Sequence, residues 1–188
     1  MPPRVKITKE SVTQAALELC RLGGSEKINA RSIAAHLGCS TQPIFSNFEN
    51  MEEVQNEVSA RAYDAYLDFL RAEAESGKYP RYKAYGMAYI RFAKEEKELF
   101  KLLFMCDRSG KNLTTSPDFS ESVEIIMEKN GLDRERAERM HLEMWALVHG
   151  IAVMLATSFL ELSWECISDM LTDVYQGTRA HHQKEVKK

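Results

Sequence analysis

The chain has 188 residues, 44% hydrophobic and 28% charged, with a formal net charge of −3. That is enough apolar material for one ample core or two small ones, and the net charge argues neither for nor against nucleic acid. The start MPPRVKITKE has no apolar signal segment, and the four cysteines (Cys20, Cys39, Cys106, Cys166) form no CxxC pair, so the expectation is a cytoplasmic protein with free, buried thiols.

Charge is uneven along the chain. Residues 1–50 carry a net +2 and the remainder a net −5. Strand-like alternation is absent, and the predicted elements are all helical. The first helix runs from Lys9 to Leu22, capped by Thr8, with Val12, Ala15, Ala16 and Leu19 on one face, and Gly23-Gly24 ends it. A short second helix spans Ala30 to Leu37, capped by Asn29 and stopped by Gly38, with Ile33, Ala34 and Leu37 inward. A third short helix begins after Ser40, with Pro43 as its third residue.

The fourth helix, Glu52 to Ser76, shows a stripe of Val54, Val58, Ala62, Ala65 and Phe69. Then come Pro80 to Lys94, Glu98 to Met105, a polar loop DRSGKNLTTSPDF, and Ser120 to Asn130. Asp133 caps a long helix from Arg134 to Leu160, and Trp164 to Gln176 forms the last, followed by a frayed basic tail. Met144 to Leu160 has no charged residue apart from His149 over its 17 positions, which fits a helix buried on all sides better than one crossing a bilayer.

Two short helices joined by a tight glycine turn predict a helix-turn-helix whose second member reads DNA. Brevity suits that task, because only the first turn enters the major groove. Ile44 and Phe48, four residues apart, share one face and anchor the helix from behind. Gln42 can pair bidentately with adenine, Thr41 can reach a base or a phosphate, and the Pro43 ring can lie against a thymine methyl or simply start the helix. Lys27, Arg31 and the N-terminal Arg4, Lys6 and Lys9 are the phosphate-neutralising candidates.

These residues resemble the TetR family of transcriptional regulators. The likeness lies in Asn29-Ala30-Arg31-Ser32-Ile33-Ala34, Gly38-Cys39-Ser40 and Ile44-Phe45-Ser46-Asn47-Phe48. A second likeness, Trp145-Ala146-Leu147-Val148-His149-Gly150, is to the Trp-His-Gly signature of one subgroup's C-terminal domains. Three residues depart from the pattern: Phe45 where tyrosine is usual, Met51 where lysine often opens the fourth helix, and Asn47 for the common histidine.

The resemblance implies an all-α chain with a three-helix DNA-binding domain (residues 1–50) and a larger helical ligand-binding and dimerisation domain (residues 51–188). It implies a homodimer on double-stranded DNA, a repressor released from a palindromic operator by a small-molecule effector. The DNA-facing set is then Lys6, Lys27, Arg31, Ser40, Thr41, Gln42, Pro43, Phe45, Ser46 and Asn47. The effector-facing set is Tyr85, Tyr89, Phe92, Phe104, Met105, Met144, Trp145 and His149, an aromatic and Met-rich group suited to an apolar or flat ligand, though plain core packing competes at each position. Ala146, Gly150 and Val153 on one helix, with Trp164, Ile167, Leu171 and Val174 on the next, supply either a four-helix subunit interface or intrachain core.

A helical-bundle enzyme and a protein-interaction module are the rival readings. A di-iron bundle needs two Glu-x-x-His motifs, and the chain has one, Glu138-Arg139-Met140-His141. An interaction module predicts an acidic recognition surface, whereas Thr41 to Phe48 holds no acid. No enzymatic activity, cofactor or metal is expected.

Overall fold

The computed structural model describes residues 7–107 and 117–185. All regular elements among them are helical: α1 (Lys9–Gly23), α2 (Ala30–His36), α3 (Gln42–Asn47), α4 (Met51–Glu75), α5 (Arg81–Glu95), α6 (Lys97–Phe104), α7 (Pro117–Asn130), α8 (Arg134–Ala156) and α9 (Trp164–Glu185), with a 3₁₀ turn at Ser25–Lys27. Lys6 and Arg4 lie outside the described residues, as does most of the polar loop before α7. No helix among the described residues is long and apolar enough to cross a membrane.

The chain divides into two compact units. One runs through Leu67, inside α4, and takes in Glu96–Cys106. Here α1 packs against α2, α3 and α6. Its core is Val12, Ala16, Cys20, Ile33, Ile44, Val54, Val58, Ala62, Leu99 and Phe100, all fully buried. Each large apolar side chain so enclosed stabilises the unit by roughly 1.5–3 kcal/mol. The stripe on α4 continues from Ala62 to Tyr66, one four-residue step on, while Ala65 is only partly covered. The Tyr66 ring meets Phe104 edge-on at 5.2 Å.

The other unit holds Asp68–Glu95 and the described residues from Asp107 on. In it α8 packs against α5, α7 and α9. Phe119, Val123, Ile126, Leu132, Ala137 and Met140 form one buried cluster, with Tyr82, Met127 and Tyr175 against it. The close approach of helices is made by Gly86: a Cβ there would stand 3.3 Å from Val148 Cγ2 and 3.5 Å from Leu171 Cδ1. Gly150 faces open space instead, with nothing within 4 Å of a Cβ placed on it.

Several expectations need correction. The α8 helix stops at Ala156, short of Leu160, because Ser158 turns into the left-handed region at φ 55°. Its N–H and that of Phe159 then donate back to Leu155 and Met154 carbonyls at 3.1 and 2.9 Å, which satisfies the helix end. The expected frayed tail is helix as far as Glu185, and His182 within it is fully buried. Of the two roles left open for the last helix, Ile167 and Leu171 take that of intrachain core, whereas Val174 is 37% exposed. Of the four free cysteines only Cys20 is buried, and burial pushes its thiol up to about 11.

Candidate functional site

The segment from α2 to α3 is built by local chemistry. Asn29 Oδ1 accepts the Ser32 N–H at 3.0 Å and so caps α2. Past His36 the chain turns on Gly38, whose φ of 64° suits a residue without Cβ. The Cys39 N–H then donates to the Ala34 carbonyl at 2.9 Å, closing the helix end.

The α3 helix starts one residue later than the sequence suggests. Thr41, not Ser40, is the cap residue, and its side chain makes no capping bond. Pro43 is therefore the second helical residue, not the third. Its missing N–H has no intrahelical acceptor there in any case.

Burial then sorts the helix by face. Ile44 is fully buried and Phe48 nearly so, while Phe45 is 49% exposed. Gln42 and Ser46 are exposed, with Thr41, Pro43 and Asn47 half-buried. Two of the expected DNA-facing groups are engaged within the fold. Ser46 Oγ donates to the Gln42 carbonyl at 3.0 Å. Asn47 Nδ2 donates to the Pro43 carbonyl at 2.7 Å and to the Ile7 carbonyl at 3.3 Å, tying the end of α3 to the start of α1.

Several cations of this unit are similarly engaged. Lys9 Nζ lies 2.8 Å from Glu57 and 3.0 Å from Glu53, and 5.1 Å above the Phe48 ring. Hydrogen bonds to Glu57 and Glu53 raise its pKa, so it fastens α1 to α4 rather than standing free. Arg21 pairs with Glu96 at 3.0 Å, Lys101 with Glu98 at 2.6 Å, and His36 with Glu18 at 2.9 Å. Arg31 and Lys27 are exposed, and neither has an ion-pair partner among the described residues.

The expected effector set divides between the units. Phe104 and Met105 belong with α6, where Phe104 packs on Tyr66 and Phe100. The other six lie in the second unit. There Trp145 stacks on His149, centroids 4.8 Å apart and planes within 8°, and the Tyr89 hydroxyl is 2.9 Å from His149 Nδ1. Met144 and Phe92 are buried, Phe92 edge-on to Phe69 at 5.4 Å. Tyr85 sits at the α5–α7 surface, bonded to Arg81 at 2.8 Å and to Glu121 at 2.9 Å.

A neighbouring polar cluster escapes a reading by sequence. The Tyr82 hydroxyl is 2.8 Å from His141 Nδ1, and Phe119 meets the same imidazole edge-on at 4.6 Å. Burial lowers the His141 pKa to about 4 and pushes the Tyr82 hydroxyl up. His182 Nε2 lies 3.1 Å from Glu143. The partners in each pair are distant in sequence, so no local spacing betrays them.

No family model matches the chain. Among curated proteins, an uncharacterized HTH-type transcriptional regulator of Mycobacterium tuberculosis is 20% identical over 164 residues, covering 83% of this chain and 73% of the relative.

Proposed function

We propose that the chain is a DNA-binding transcription regulator of the TetR type, without enzymatic activity, acting as a homodimeric repressor that a small molecule releases from a palindromic operator. The observation that carries this reading is the outward face of α3. It presents Thr41, Gln42 and Phe45 with no acid among them, and Ile44 and Phe48 anchor it from behind. The relative named as an HTH-type regulator supports the same reading.

In this mechanism α3 enters the major groove, where the Gln42 amide matches the donor–acceptor edge of adenine. Arg31 and Lys27 neutralise flanking phosphates. A second copy docks on the exposed strip of α8, made of Leu142, Ala146 and Gly150, and sets the half-site spacing. An apolar or flat effector engages the second unit beside the Trp145–His149 stack.

The test is selection of bound sequences from random duplex DNA by the full chain. The expected product is an inverted repeat with half-sites about one helical turn apart. Recovery of no enriched sequence, or only of unpaired single sites, sinks the reading.

A further inference from the structure

We propose that Phe45 reads the 5-methyl group of a thymine, so that this chain selects its operator partly through an apolar contact. The inference rests on the DNA-binding reading above and deepens it.

Hydrogen bonding within α3 narrows what the helix can offer a partner. The Ser46 hydroxyl and the Asn47 amide donate to carbonyls of the fold. No charged side chain lies between Thr41 and Phe48. Outward stand the Gln42 amide, the Thr41 and Ser46 hydroxyls, the half-buried Pro43 ring and the Phe45 ring, which is 49% exposed although a phenyl group gains nothing from water. A bare ring can neither donate to a phosphate nor bond a base edge. The one apolar group that base pairs display in the major groove is the thymine methyl.

The spacing fits. Gln42 and Phe45 are three residues apart on one helical face, their Cβ atoms about 5–6 Å from each other. That reach covers neighbouring base pairs, which stack roughly 3.4 Å apart. Gln42 suits adenine and Phe45 suits thymine, so the two side chains read either the two halves of one A·T pair or two adjacent A·T pairs.

Deoxyuridine tests this directly, because it keeps every hydrogen-bonding group of thymidine and lacks only the methyl. The duplex enriched by the full chain is resynthesised with each thymidine replaced singly, and affinity is measured by fluorescence anisotropy. Wild-type protein loses about four-fold in affinity at one position in each half-site, the contribution of one buried methyl. Phe45→Ala binds the thymidine and deoxyuridine duplexes equally at that position. Phe45 is half-exposed, so this variant keeps the wild-type melting temperature, which is checked in parallel; Phe45→Leu, still apolar, retains a reduced preference for thymidine.

Equal binding of both duplexes at every position by the wild type overturns the proposal while leaving DNA binding intact. So does a thymidine preference that survives unchanged in Phe45→Ala. Failure to enrich any sequence overturns the DNA-binding reading, and this inference with it.

Discussion

Ser158 holds the left-handed position that ends α8, a place where a Cβ is unfavourable and glycine is usual. Ser158→Gly is therefore expected to stabilise the chain by about 0.5–1 kcal/mol, read as a raised urea midpoint with an unchanged slope. His141 gives a second residue-level expectation. The unfolded chain takes up its proton near 6.5, and the folded chain resists until about 4. Between those values the unfolded state binds more protons, so stability falls as pH drops through the window, by up to about 3 kcal/mol at its lower end. His141→Gln keeps a partner for the Tyr82 hydroxyl and should flatten that limb of a denaturation profile measured from pH 7 to pH 4.

Among elements, the sequence is readable where a helix end is made by a side chain. Thr8, Asn29 and Asp133 each cap the helix they precede, by bonds to the third N–H beyond them. It is less readable where an apolar run outlasts its helix, as at Phe159 and Leu160, or where a residue of a polar tail is itself buried, as His182 is beside Glu143. Asn47 shows the same limit within the site. On a helical wheel it faces outward, yet its amide is held by the Ile7 carbonyl, a tertiary contact that local pattern does not encode. Asn47→Ala should thus cost about 1 kcal/mol in stability and leave the preferred DNA sequence unchanged. A shifted base preference in the selection experiment would return Asn47 to the reading surface.

For the whole molecule, the all-helical class and the buried anchors Ile44 and Phe48 were legible from periodicity, because side-chain faces follow directly from helical spacing. The pairing of charges was not. Lys9 reads as a free N-terminal cation, and only the folded chain shows Glu53 and Glu57 on either side of it. With so many cations engaged, Arg31 and Lys27 are the described residues of this unit on which the proposed phosphate neutralisation rests. Arg31→Ala should flatten the dependence of log affinity on log salt by roughly two, about 0.9 for the one phosphate that each subunit then leaves unneutralised. Assembly is tested on the second unit. Leu142 is 49% exposed on the strip that includes Gly150, so Leu142→Glu should yield a monomer by sedimentation while the melting transition of the chain itself persists.

The two tryptophans stand in contrasting company. Trp164 lies between cations, with the Arg91 guanidinium 4.7 Å and the Lys94 ammonium 5.4 Å from its ring, while Trp145 lies flat on an imidazole. The molecule thereby carries a built-in optical gauge. An imidazole in contact with indole drains its excited state, more so when protonated. Displacing His149 should brighten Trp145 above the steady background emission of Trp164. Whether a given small molecule displaces His149 can then be read with a fluorimeter and unlabelled protein.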